Sequence, residues 1–304
     1  MSYRKEHHYS LKNKIVSGNI GVDFSKYSND ELKILWRTTL NKGMHGTCFS
    51  MYEDGQKPED TITEEQVERR MKILKPYTKW IRSFSCIEGN ENIPRIAYKY
   101  GLKTMVGAWL GNDLEKNEEE IEALIKLGNE GCVDIAAVGN EVLYRNELSI
   151  EQLIAYINRV KEALPHIEVG YVDAYYKFST YPELVEVCDV ILANCYPFWE
   201  GCPIDYSLNH MQKMFKQASD FSQGKKVIIT ETGWPNQGDS EGGADSSDEN
   251  AIKYFINTQV WALNENIETF YFSSFDESWK VGDEGSVGAY WGLWDKSENL
   301  KYNI

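Results

Sequence analysis

Residues 133–139 read VDIAAVG, and Asn140 and Glu141 follow directly. Apolar side chains stand at consecutive positions here rather than at alternate ones. A strand of that kind is buried on both faces, as in a parallel sheet covered by helices. Upstream, residues 102–108 (LKTMVGA) have the same character, and the intervening 118–128 (EEEIEALIKLG) carry apolar residues at helical spacing, closing on a glycine suited to a helix C-terminus. Strand, helix, strand within this length is a βα unit.

The pattern extends in both directions. Strand-like runs stand at 43–50 (GMHGTCFS), 79–85 (KWIRSFS), 167–173 (IEVGYVD), 188–195 (CDVILANC), 226–230 (KVIIT) and 268–275 (ETFYFSSF). With the first two runs the set has eight members, spaced on average about 32 residues apart. Helical stretches lie between them. One opens on Thr63 with Gln66 three residues on, a capping-box signature. Another covers 149–164, opening on Ser149 and stopped by Pro165, and a third covers 248–264. Eight such units predict a single-domain α/β fold, a (β/α)8 TIM barrel over residues 43–304, with residues 1–42 as an N-terminal extension packed on it. An open doubly wound sheet is the competing architecture, but no G-x-G-x-x-G follows the first strand. The polar, glycine-rich 237–248 (QGDSEGGADSSD) reads as a surface loop after the seventh strand.

Composition narrows the function. The chain has 304 residues and a net charge of −15, which disfavours nucleic acid as a partner. No apolar run approaches the ~20 residues needed to span a bilayer. The N-terminal MSYRKEHHYSLKNKIVSGN is charged and has no signal-like apolar segment, so the chain as written is expected to be cytoplasmic, or secreted or periplasmic if a leader was removed. The six cysteines form no C-x-x-C pair, which argues against zinc, and read as buried free thiols, with the disulfides of a secreted protein as the alternative.

Active residues of such barrels come from the C-terminal ends of the strands. Glu141 and Glu231 each directly follow an apolar strand, and a carboxylate there must be paired, hydrogen-bonded or used. One such residue alone reads as an ion pair or loop cap; two at matching positions point to a catalytic carboxylate pair. Glycoside hydrolysis requires that pair: one carboxyl protonates the leaving oxygen, the other attacks the anomeric carbon or activates water. Tyr52, Arg82, Tyr196, Trp199, Trp234 and Trp279 stand on strand ends or the loops after them, and the aromatic rings among them offer faces for sugars, with rim packing as their plain alternative. No metal or cofactor is expected, and Asp54, Asp276 and Glu277 are weak candidates for a cation site.

GMHGTCFSMYEDGQKPED, VGNEV, ANCYPFWEG, ITETGWP, FYFSSFDESWK and YWGLWDKSENLK together resemble glycoside hydrolase family 17, in its microbial branch, over about residues 43 to 301. The resemblance implies a retaining β-1,3-glucan hydrolase (laminarin as the type substrate, endo rather than exo action) with a double-displacement mechanism. It implies Glu141 as general acid/base and Glu231 as nucleophile. Asn140 would bond the sugar 2-hydroxyl, Tyr196 would hold the nucleophile's carboxylate, and Glu277 and Lys280 would form an accessory pair around Trp279. The expected partner is a β-glucan oligosaccharide or polysaccharide, with no nucleic acid and no membrane, and the protein is expected to be a monomer. Transglycosylation with the same pair, another β-glucan linkage, or a carbohydrate-binding barrel without turnover are the alternatives.

Overall fold

A computed structural model describes residues 21–303. The N-terminal residues 1–20 of the expected extension lie outside the described residues. In chain order the elements are α1 (Asn29–Asn41), β1 (Met44–Cys48), α2 (Glu64–Leu74), β2 (Thr78–Arg82), α3 (Asn92–Lys99), β3 (Lys103–Ala108), α4 (Leu114–Asn129), β4 (Ile135–Asn140), α5 (Val142–Arg145) and α6 (Ile150–Ala163). Then come β5 (Glu168–Ala174), α7 (Lys177–Thr180), α8 (Pro182–Val187), β6 (Ile191–Asn194), α9 (Ile204–Asp220), β7 (Val227–Thr232), α10 (Asp248–Glu265), β8 (Thr269–Tyr271) and α11 (Val281–Glu284). The strands form a closed barrel in sequence order, every neighbouring pair parallel. Closure is made where Gly46 and Thr47 of β1 pair with Phe270 and Tyr271 of β8. All eight strand-like runs are strands of this barrel, so the fold is the (β/α)8 barrel that the periodicity predicts.

The strands are almost wholly buried because helices cover their outer faces and side chains fill the interior, which explains their unbroken apolar character. All six cysteines are free and buried. Helix α1 packs against α10, with Trp36 on Phe255 at a 5.8 Å ring separation, and Val22 N–H donates to Asn257 Oδ1 at 2.9 Å. No helix among the described residues is long and apolar enough to cross a membrane.

Local signals were only partly decisive. Ser149 and Gln152 form the full capping box of α6. Thr63 accepts from Gln66 N–H, but the Gln66 side chain turns inward and donates to the Met51 carbonyl at 2.6 Å, so only half of that box forms. Helix α4 runs one residue past Gly128: a Cβ there would lie 2.5 Å from Leu164, and Gly131 takes the left-handed turn instead, at φ +81°. Gly128 is therefore a packing glycine and Gly131 the terminator.

Candidate active site

The C-terminal strand ends converge on two carboxylates. At the end of β4, Gly139 has φ +84° and Glu141 φ +54°, a left-handed conformation rare for a residue with a side chain. Two backbone bonds hold it: Glu141 N–H donates to the Val172 carbonyl at 2.8 Å, and the Glu141 carbonyl accepts from Arg145 N–H at 2.9 Å. The β4–β5 register shifts between Ala137 and Asn140, and the β6–β7 register shifts so that Asn194 faces Glu231. Irregularities of this kind re-aim side chains at strand ends.

Glu231 receives Arg82 Nη1 on Oε1 at 2.7 Å and the Tyr196 hydroxyl on Oε2 at 2.8 Å. The other arm of Arg82, Nη2, donates to Asn140 Oδ1 at 2.9 Å. Glu141 Oε1 accepts from Asn194 Nδ2 at 2.9 Å, and Asn194 Oδ1 accepts from the Thr230 hydroxyl at 2.8 Å. Each glutamate is thus tied, through one bridging side chain, to the residue preceding the other. Glu141 and Glu231 each keep 7% of their surface exposed while Arg82 keeps 1%, so the carboxylates open to the cleft and the guanidinium lies beneath them.

Burial pushes the Glu141 carboxyl up to about 8, reinforced by the charges of Glu231 and Asp173 and opposed by the Asn194 hydrogen bond and Arg145. Asp173, fully buried at the end of β5, is itself raised to about 6 by burial, against the Tyr171 hydroxyl that donates to it. That hydroxyl also accepts from Leu143 N–H at 3.0 Å, which connects Asp173 to the segment just after Glu141.

A second cluster adjoins the pair. Glu277 accepts from Tyr52 N–H at 3.1 Å and pairs with Lys280 Nζ at 2.7 Å. The Lys280 ammonium lies 4.3 Å above the Phe272 ring, which meets Tyr196 edge-on. Burial works against that ammonium, but Glu277 and other carboxylates outweigh it and raise Lys280 above its ordinary value. Trp279, half-buried, packs edge-on against Tyr52 at 5.7 Å.

Among the sequence candidates, Arg82, Asn140, Glu141, Tyr196 and Glu231 meet in one hydrogen-bonded group, and Tyr52, Glu277, Trp279 and Lys280 in the neighbouring one. Arg82 touches Glu231 and Asn140 rather than open cleft, so it positions the site instead of offering a surface to a ligand. Trp234 is corrected: it is 2% exposed, lies against Phe198 and Tyr254, and donates Nε1–H to the Asp245 carbonyl at 2.9 Å, so its ring is core. Trp199 is also largely covered, by Phe198 and Trp291. Asp54, Asp276 and Glu277 each pair with a different lysine (Lys296, Lys301 and Lys280), and no cluster of three or more metal-ligating side chains occurs among the described residues. Asn194 and Asp173 escaped the sequence reading; the polar asparagine in the otherwise apolar ILAN was the available signal.

A parallel eight-stranded barrel with two cross-bonded carboxylates at its strand ends defines the glycoside hydrolase class. Residues 46–292 match the family described as the BtgE/BtgC glycoside hydrolase domain, and the chain belongs to that family. It is 30% identical over 258 residues to a glucan 1,3-beta-glucosidase of Arthroderma benhamiae, covering 78% of this chain and 83% of that protein. To the glucan 1,3-beta-glucosidase of Schizosaccharomyces pombe it is 29% identical over 251 residues, 76% of this chain and 78% of the relative. The solved glycoside hydrolase family 17 beta-1,3-glucanosyltransferase of Rhizomucor miehei is 30% identical with a TM-score of 0.77, over 86% of this chain and 96% of that one. An endo-laminarinase from Formosa shares the fold, with a TM-score of 0.70 at 20% identity, over 86% of this chain and 85% of that one.

Proposed function

We propose that the protein is a retaining hydrolase of β-1,3-glucan, endo-acting, in which Glu231 is the nucleophile and Glu141 the general acid/base. The observation that carries this is the asymmetry of the pair: a guanidinium and a phenol hold Glu231, while burial and neighbouring negative charge keep Glu141 protonated near neutrality.

Glu231 attacks the anomeric carbon as the bond to the leaving oxygen breaks, and Glu141 gives its proton to that oxygen. The product is a glycosyl ester on Glu231. Its formation removes the Glu231 charge, so the like-charge contribution to the Glu141 carboxyl falls and Glu141 takes up the base role. A water then loses a proton to Glu141, attacks the same carbon and frees Glu231. Arg82 and Tyr196 keep the nucleophile's two oxygens in place, and Asn140 is the group for the sugar 2-hydroxyl. Both carboxylates and their partners come from one barrel, which supports a monomer as the working unit, and a neutral glucan as partner needs neither membrane nor nucleic acid. Residues 43–304 are read as the catalytic barrel and 1–42 as its extension.

A second reading, glucanosyl transfer, rests on the 30% identity to the Rhizomucor miehei glucanosyltransferase. The two share every step up to the ester and differ in what accepts the sugar. Incubation with linear β-1,3-glucan and, separately, β-1,4-glucan, with product length and anomeric configuration followed over time, tests both. Shorter β-anomeric products from the β-1,3 substrate alone support hydrolysis. Products longer than the substrate mean transfer, and inverted anomers overturn the two-step scheme.

A further inference from the structure

Among the nine tryptophans Trp109 is the exposed one, at 37%, while Trp36, Trp199, Trp234, Trp291 and Trp294 are buried. It directly follows β3, at the catalytic end of the barrel. A single exposed apolar side chain needs no explanation by itself. This one lies against a guanidinium that is itself held by hydrogen bonds, on a stretch of backbone that is anchored two residues on. The Arg145 guanidinium lies 4.7 Å from the centre of the indole ring, in cation–π contact. Arg145 in turn donates Nη1–H to the Asn140 carbonyl at 2.6 Å, Nη2–H to the Leu110 carbonyl at 3.2 Å, and Nε–H to Glu147 at 2.7 Å. The backbone beyond Trp109 is held as well: buried Asn117 donates to the Gly111 carbonyl and accepts from Gly111 N–H, both at 2.8 Å. One guanidinium therefore connects the indole to the residue before Glu141. A rigid apolar plane that stays in water at the mouth of a site is suited to the apolar face of a pyranose ring, because little side-chain freedom is lost on binding.

We infer that Trp109 is a stacking platform for a glucosyl unit outside the two that flank the cleaved bond, so that it sets the dependence of the enzyme on chain length. The inference rests on the β-glucan reading above. Arg145 positions the ring.

The test compares a β-1,3-linked glucose trimer with the hexamer. In Trp109→Ala, the ratio of hexamer to trimer kcat/KM falls about tenfold, the factor that 1.4 kcal/mol produces, through KM rather than kcat. Trp109→Phe, which keeps an aromatic plane and serves if the alanine variant is unstable, restores most of the ratio. Equal loss on both substrates, or no loss, overturns the inference, since a merely structural role would affect all lengths alike. Calorimetric binding of trimer and hexamer to Glu231→Gln, with and without Trp109→Ala, separates the two claims. Hexamer affinity of Glu231→Gln that depends on Trp109, with no β-1,3 turnover by the wild-type enzyme, leaves the platform standing and removes the hydrolase reading. Turnover with an unchanged length ratio removes only the platform, and absence of both binding and turnover overturns both.

Discussion

Arg82 and Glu231, the last residue of β2 and a residue near the end of β7, form a buried ion pair at 2.7 Å across the mouth of the barrel. Because the guanidinium is planar, the same side chain reaches Asn140 in the opposite direction. Lysine has one donor nitrogen in place of the two that Arg82 uses, so it cannot span both acceptors in this geometry. Arg82→Lys is expected to lower kcat by two to three orders of magnitude, roughly 3–4 kcal/mol in the barrier. Arg82→Leu leaves Glu231 without its counter-charge and is expected to cost about 3–5 kcal/mol of stability. Steady-state kinetics and urea unfolding check the two parts.

The acid limb of the mechanism has a pH signature. Glu141 must be protonated in the free enzyme, and its carboxyl stands at about 8, so kcat/KM is expected to hold at neutral pH and fall as pH rises through that value. The sign for stability follows from the same shift. The folded state binds the Glu141 proton more tightly than the unfolded chain, whose carboxyl titrates near about 4.3, so this residue's contribution to stability is lost as pH rises from there to about 8. Glu141→Gln is expected to flatten that part of the stability–pH curve, measured by denaturant unfolding across the range.

Two neighbours move the Glu141 carboxyl in opposite directions. The Asn194 hydrogen bond lowers it and the Asp173 charge raises it. Asn194→Ala is expected to shift the basic limb of the pH–rate profile upward, and Asp173→Asn to shift it downward. A common direction for both variants would refute the assignment of the limb to Glu141.

Trp234 and Trp279 are expected to part company on substitution. Trp234→Ala opens a cavity in the core and costs about 3–5 kcal/mol of stability. Trp279→Ala, at a half-exposed position beside Tyr52, is expected to raise KM for oligosaccharides several-fold with a small change in melting temperature. Thermal unfolding and initial rates on a β-1,3-linked oligosaccharide separate the two.

The barrel was legible because strands buried on both faces carry an unbroken apolar signature, and Glu141 and Glu231 were legible because they end such strands. The same double burial hides which face a polar residue takes, so Asn194 and Asp173, lying within apolar runs, did not stand out. Trp234 misled for a related reason: sequence places it on a strand-end loop, while packing against Phe198 and Tyr254 decides that it points inward. Helix α9 went unread although Leu208, Met211, Met214 and Ala218 keep helical spacing, because its first turn follows Pro203 with no capping side chain to mark a start.

The crossed bridges, Arg82 from Glu231 to Asn140 and Asn194 from Glu141 to Thr230, are made entirely by residues within or immediately beyond the strands. The spacing of the reactive pair is therefore written into the barrel staves and is independent of the lengths of the connections above them. Connections that touch none of these residues can differ to suit another glycan while the bond-breaking chemistry needs no retuning.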